Sequence, residues 1–448
     1  MFGRVLIANR GEIALRIIRA CRELGIEPIC VYSEADRGAP WLRFAEEAVC
    51  IGGGPASDSY LRIDRIISAA EITNVDAIHP GYGFLAENSH FAEVCRDCRI
   101  EFIGPSPEAM AQLGDKIAGR RLAKQVGLPT FPGSEEAIED PEEAIKIARE
   151  IGFPVIVKAA AGGGGRGMRI ARNEESLRAG LESARQEAAA AFGNGAVYVE
   201  KFLERARHLE IQVLGDKHGN AIHLYERDCT SQRRHQKLIE EAPAPGVDPA
   251  KRNRVAEAAA ALLRAANYSG AATVEFLMDA KQDFHMLEVN TRVQVEHPVS
   301  ELITGVDIVK EMIRVSAGEP LSFTQDQIAI RGHAIECRIN AEDPDRNFMP
   351  QAGLIEHYAP PGGPGIRLDS HARAGYRIPP NYDSMIGKLI AHGPDRTTAI
   401  RRLRQALAEF EIGPVRTTIP LHLRLLETAA FVNADFDIHY VERYLKGE

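Results

Sequence analysis

The chain has 448 residues, 45% of them hydrophobic and 26% charged, with a formal net charge of −9. That composition supplies a large core and argues against disorder, while an acidic balance without a long basic block argues against nucleic acid as a partner. No apolar run approaches the roughly 20 residues of a membrane span, and at about 100–200 residues per domain the length predicts two to four domains.

MFGRVLIANRGEIALRIIRACRELG has only VLIA as an apolar stretch before charges resume, so it reads as strand, turn and helix, not as a secretory leader. Ile13, Ile17, Ala20 and Leu24 fall on one face of that helix. PICVYS, EAVCI, DAIHPGYG and IEFIG predict further strands, and strand–helix alternation to about Leu113 predicts a doubly wound parallel sheet. Gly104-Pro105 and a helix carrying Lys116 mark the exit. The seven cysteines, scattered and odd in number, suit reduced thiols in a cytoplasm. Cys95 and Cys98 form a CxxC, but no second pair or histidine cluster completes a zinc site.

A second region runs to about Pro320. It contains FPVIVKAA, a β-branched apolar run that predicts a buried strand delivering Lys158 to KAAAGGGGRGM. The four glycines Gly162 to Gly165 cannot pack in a core; they suit close backbone approach to an anion, and so a flap over polyphosphate. The lysine precedes the glycines, unlike the Walker pattern. VYVEKFL and HLEIQVLGD predict more strands, and TVEFL and FHMLEVNTR, separated by the turn-like MDAKQD, predict a hairpin. Side chains two apart share a face, so Glu288 and Asn290 lie together, and Glu275 across from them would complete a set of hard oxygen donors for magnesium. Carboxylates inside apolar strands are expensive without a cation.

The same period carries Arg292, Gln294 and Glu296, a set suited to a small oxyanion: guanidinium to bind, amide to orient, carboxylate to take a proton. A salt-bridged surface strand is the alternative. ERDCTSQRRHQK places Gln232, His235 and Lys237 beside arginines with little balancing acid until Glu240, which suits a polyanion or a carbonyl-bearing substrate. A third region, from about Arg331, opens with the strand-like GHAIECRIN, continues through APPGGPG and closes on a helix around Thr397–Glu409.

IANRGEIALRIIRA, HPGYGFLAEN, KAAAGGGGRGM, ERDCTSQRRHQKLIEEAPAP, EVNTRVQVEHPVSE and YDSMIGKLI resemble the biotin carboxylase component of biotin-dependent carboxylases, most closely that of acetyl-CoA carboxylase, over essentially the whole chain. The resemblance implies a multidomain α/β and α+β chain of ATP-grasp fold: an N-terminal domain over 1–113, an ATP-grasp domain over 114–320 with a lid over about 130–203, and a C-terminal domain over 331–446. It implies that Lys116, Lys158 and Gly163, Gly164 and Gly165 meet the ATP phosphates, that Glu200, Lys201 and Leu203 hold adenine, and that His208 meets the ribose with Gln232 and His235 nearby. Leu277 joins the nucleotide set. Glu275, Glu288 and Asn290 match metal ligands for two magnesium or manganese ions. Lys237, Arg292, Gln294, Val295 and Glu296 match a bicarbonate pocket with Glu296 as base, and Tyr82 and Arg338 match residues that hold biotin. Ala161 and Pro364 depart from the family pattern, the second at a position often aromatic near the dimer contact.

The implied reaction carboxylates biotin with ATP and bicarbonate through carboxyphosphate, the first half-reaction of a biotin-dependent carboxylase, here acetyl-CoA carboxylase in fatty acid synthesis; another acyl-CoA or pyruvate carboxylase is the alternative. Lys388 in IGKLI does not match a biotin-attachment motif, so biotin is expected on a separate carrier protein, with separate carboxyltransferase subunits downstream. A cytoplasmic homodimer is expected, with Arg16, Arg19 and Glu23 sharing the contact face of the first helix and no membrane partner. Arg338 has an alternative reading too, as a structural salt bridge to Glu336 or Glu342.

Overall fold

The computed structural model describes residues 1–134, 136–138, 140–159, 168–192 and 195–448. The first region is a parallel sheet of β1 (Arg4–Ile7), β2 (Glu27–Ser33), β3 (Glu47–Gly52), β4 (Ala77–His79) and β5 (Glu101–Phe102), in the order β3-β2-β1-β4-β5. Helix α1 (Gly11–Glu23) follows β1 and buries Ile13, Ile17 and Ala20, as their spacing predicts, with Leu24 just past its end. Asn9 Nδ2 donates to the carbonyls of Pro80 (2.6 Å) and Tyr82 (2.7 Å), clamping the loop after β4 to the end of β1. Open α/β sheets bind ligands at such carboxyl ends.

Beyond Gly104 the chain forms two helices, Pro107–Gly114 and Lys116–Gln125, broken at Asp115, whose carboxylate accepts from the amide of Ala118. Lys116 therefore opens the second helix; its side chain lies outside the described residues. A small antiparallel sheet follows: β6 (Val155–Ala159), β7 (Arg169–Ala171) and β8 (Val197–Lys201), in the order β7-β6-β8. Val155, Val157, Leu177, Leu181, Val197 and Val199 give this unit a core of its own. The glycine run Gly162–Gly165 lies outside the described residues.

The large sheet has eight strands, all paired antiparallel. These are β9 (Arg207–Gly215), β10 (Ala221–Arg233), β11 (Gln236–Ala242), β12 (Gly270–Met278), β13 (Phe284–Asn290), β14 (His333–Asn340) and the strands Ile366–Ser370 and Met385–Gly393. The order runs β13-β12-β9-β10-β11-β14, then Met385–Gly393, then Ile366–Ser370. The sheet crosses from the second sequence region into the third through β11 and β14, with Ile239 opposite Cys337 and Ala242 opposite Ala334. On β9, Leu209, Ile211 and Val213 pack with Val255, Ala259 and Leu263 of helix Pro249–Ala265. The alternate residues His208, Glu210 and Gln212 face the other way, as a two-residue period requires.

On that second face Arg227 of β10 is wholly buried, and its guanidinium uses all five N–H donors. Nε donates to Glu210 (2.5 Å), Nη1 to Gln212 (2.7 Å) and Ser300 (3.0 Å), and Nη2 to Thr273 (3.1 Å) and Gln294 (2.9 Å). One side chain thus joins three strands, the helix His297–Thr304 and the loop before it.

Glu301 in that helix receives Arg16 from α1 (2.9 Å) and Arg367 (2.7 Å). Arg16 also donates to Asp307 (2.5 Å), so it is buried inside the protein, while Arg19 and Glu23 remain exposed; the three do not form one exposed face. Burial alone would push the Glu301 carboxyl up, but Arg16 and Arg367 outweigh it and hold it down to about 2.

Arg227→Met should destabilise the fold by about 3–5 kcal/mol in urea unfolding, because it leaves Glu210 charged and buried with less compensation; adding Glu210→Leu should recover much of the loss. For Glu301 the folded pKa lies below the ordinary ~4.3, so its stabilisation is present above that value and disappears as pH falls through about 2. Glu301→Gln should flatten the acid decline of stability across that window, read from unfolding midpoints against pH.

Candidate active site

The parallel sheet, the small three-stranded sheet and the eight-stranded sheet face one cavity of about 1270 Å³. Tyr82 and Glu87 line it from the first region, Lys158 and Glu200 from the small sheet, His208, Lys237 and Glu275 from the large sheet, and Arg338 from β14.

At the small-sheet end, Glu200 is buried and ion-paired with Lys158 Nζ (2.6 Å) and with Arg120, whose guanidinium lies 5.3 Å from the Tyr198 ring centre. Lys201 Nζ donates to the carbonyls of Gly152 (3.0 Å) and Phe153 (3.1 Å). Leu203 and Leu277 give the cavity apolar wall. His208 meets Glu275 at 3.0 Å through Nε2 and Gln232 at 3.3 Å through Nδ1. His235 sits exposed at the two-residue β10–β11 turn, where Arg234 and His235 take φ of 48° and 64°, as a type I′ hairpin requires.

The hairpin brings the expected oxygen donors together. Glu275 stands opposite Glu288, Asn290 stands two residues further along β13, and Asn290 Nδ2 donates to Glu275 Oε1 at 3.0 Å. Burial would raise the Glu275 carboxyl, but Lys237 and His208 hold it far below its ordinary range. An ionised carboxylate, an exposed second one and an amide oxygen fit a hard divalent cation that takes its other ligands from phosphate and water.

Lys237 lies at the centre of the next group. Its ammonium donates to Glu210 (2.6 Å), Glu275 (3.1 Å) and Glu296 (2.6 Å), so the acids absent from its own segment arrive from other strands. Burial opposes its charge, yet these carboxylates lift its pKa well above normal. Two clusters with metal-ligand composition, His208–Glu210–Glu275 and Glu210–Cys229–Glu296, adjoin this ammonium, which already supplies the cation they need.

β13 ends at Asn290, so Arg292, Gln294 and Glu296 do not continue one strand face. Arg292 turns toward the first region, donating to Glu87 (2.9 Å) and Asn290 (3.1 Å). Gln294 donates to Glu275 (2.8 Å), and Glu296 precedes helix His297–Thr304. One Glu296 oxygen accepts from Lys237 and the other from Arg338 Nη2 (3.0 Å). Burial would raise this carboxyl, but Lys237, Arg338 and Arg227 keep it well below the usual range. The Val295 carbonyl accepts from Lys388 Nζ at 2.7 Å. Tyr82 donates its hydroxyl to Glu12. Arg338 pairs with Glu240 (2.5 Å) and Glu296, not with Glu336 or Glu342.

Glu12, Glu87, Arg120, Glu210 and Arg227 escaped the sequence reading. Glu210 had a usable signal: it interrupts the apolar run HLEIQVLG as Glu288 interrupts its own strand.

Three family models match: "Biotin carboxylase, N-terminal domain" over residues 1–110, "Carbamoyl-phosphate synthase L chain, ATP binding domain" over 115–324 and "Biotin carboxylase C-terminal domain" over 336–443. Biotin carboxylase 1 of Bacillus subtilis (strain 168) is 54% identical over 445 residues, covering 99% of each chain. A crystal structure of a Campylobacter jejuni biotin carboxylase–β-γ-ATP complex superposes with a TM-score of 0.94 at 49% identity, covering 99% of each chain. The biotin carboxylase domain dimer of Hydrogenobacter thermophilus 2-oxoglutarate carboxylase, solved with MgADP, ADP and bicarbonate, gives 0.92 at 49% identity and covers 99% of this chain and 98% of that one. The chain belongs to the biotin carboxylase family of ATP-grasp ligases.

Proposed function

We propose that this cleft carboxylates biotin in two steps, with the phosphate chemistry on the central strands and the biotin chemistry between Tyr82 and Arg338. ATP-dependent carboxylation of biotin with bicarbonate is the activity of the family, and it is the activity of this chain. The observation that carries the division of labour is Glu296, buried and held ionised between Lys237 and Arg338.

Lys116, Lys158 and the Gly163–Gly165 flap are assigned to the phosphates, Glu200, Lys201 and Leu203 to adenine, Leu277 to the nucleotide, and His208, Gln232 and His235 to the sugar side. Glu275, Glu288 and Asn290 are assigned two magnesium or manganese ions, which when bound would neutralise phosphate charge. Lys237, Arg292, Gln294 and the Val295 backbone orient bicarbonate. Glu296 takes its proton as its oxygen attacks the γ-phosphorus, forming carboxyphosphate and expelling ADP. Carboxyphosphate collapses to CO₂ and phosphate, and the phosphate removes the N1′ proton of biotin. The enolate oxygen so formed meets Arg338, while Tyr82 positions the ring and N1′ attacks CO₂. Exclusion of water by the lid protects the intermediate.

The reading extends to a biotin carrier protein that delivers biotin and a separate carboxyltransferase that consumes carboxybiotin, with acetyl-CoA as the acceptor favoured by sequence resemblance. It also assigns domains to 1–113, 114–320 and 331–446, and a cytoplasmic homodimer. No helix among the described residues is long and apolar enough to cross a membrane.

ATP cleavage that requires bicarbonate and is accelerated by free biotin is the expected activity; bicarbonate-independent cleavage would overturn it. Glu288→Gln should keep the fold and lower ATP cleavage at least ~10²-fold, the scale of a lost transition-state charge contact. Arg338→Gln should nearly abolish carboxybiotin formation while retaining much of the slow bicarbonate-dependent ATP cleavage expected without biotin. Parallel loss of both activities in a folded variant would refute the assigned roles.

A further inference from the structure

Glu240 on β11 and Glu336 on β14 stand directly opposite each other across the strand pair, and neither side chain has any exposed surface. Directly opposed side chains on one sheet face lie about 4.5–5.5 Å apart at Cβ. Glu240 Oε1 accepts from Arg338 Nε, but its Oε2 has no hydrogen-bond partner among the described residues, nor has either oxygen of Glu336. Two buried carboxylates facing each other, with Arg338 the one donor to either, cannot both stay ionised cheaply, and a proton between Glu240 Oε2 and Glu336 supplies the donor that these oxygens lack.

We propose that Glu240 and Glu336 share one proton in the working enzyme and thereby act as positioning residues for Arg338. With one negative charge behind it, Arg338 stays bound to Glu240 and Glu296 yet keeps cationic character for the enolate oxygen of biotin. A second negative charge would compete with that oxygen. The surroundings allow a protonated pair: Lys388 from the adjacent strand and Arg338 on β14 favour ionisation of Glu336, while Glu240 and Glu296 oppose it. Lys388 is itself drawn toward Glu12 at 3.2 Å and the Val295 carbonyl, and Asp369 stands opposite it. His297, on the helix packed over β14, is kept neutral by burial, its pKa pushed down to about 3. Burial likewise lifts Glu240 to about 7 and Glu336 well above the carboxylate range.

The proposal rests on the assignment of Arg338 to biotin, and its test reads the proton separately from the chemistry. Infrared difference spectra of the wild-type protein across pH should show the carbonyl stretch of a protonated carboxyl at neutral pH, and Glu336→Gln should remove it. In wild type, kcat/KM for biotin should fall about tenfold per pH unit once the pair loses its proton. Glu336→Gln, which cannot ionise, should move that alkaline limb up by at least about one unit and leave biotin-independent ATP cleavage unchanged at every pH. Absence of the band in wild type overturns the shared proton even if the variant fails to fold. A band with coincident pH profiles for wild type and variant overturns the positioning role. Equal shifts in both activities would instead refute the assignment of Arg338 to biotin alone, and with it the basis of the proposal.

Discussion

A single ammonium, that of Lys237, sits among Glu210, Glu275 and Glu296 on the buried face of the large sheet. Removing three carboxylates from water costs several kcal/mol apiece unless a cation and hydrogen bonds replace the solvent. Lys237 supplies that cation to all three, and Arg227 secures Glu210 from behind. The surrounding strands must keep their register for these contacts to survive, so the charge cluster and the sheet depend on each other. The same arrangement keeps Glu296 ionised and able to accept a proton, although burial alone would neutralise it.

The parts of this arrangement that local rules govern were readable before any coordinates. Strand period placed Glu288 and Asn290 on one face, and the turn MDAKQD brought Glu275 across from Glu288. The alternation of strands and helices in the first region predicted its parallel sheet. Local rules failed where backbone regularity stops: β13 ends at Asn290, so the extrapolated face of Arg292, Gln294 and Glu296 dissolved into a loop that sends Arg292 to Glu87.

Partners brought together by the fold were illegible for a different reason. Arg16 reaches Glu301 and Asp307, and Arg338 chooses Glu240 and Glu296 over nearer acids, because strand order and not sequence distance sets their neighbours. Lys237 seemed short of counter-charge for the same reason. A helical face can be counted along a chain, but the polar interior of a sheet belongs to several strands at once. Glu336 illustrates the limit, since it lies two residues from Arg338 and still makes no bond to it.

The small sheet of β6, β7 and β8 shares no strand with the eight-stranded one and encloses its own apolar core. Displacing such a unit leaves that core intact, so little oily surface would meet water during the movement. The balance between its positions then falls to the polar contacts it makes with other elements, such as that of Glu200 with Arg120 of the helix Lys116–Gln125. The charge of a bound polyphosphate would act on that balance more than salt or temperature would, since buried pairs are little screened while the apolar term scarcely changes.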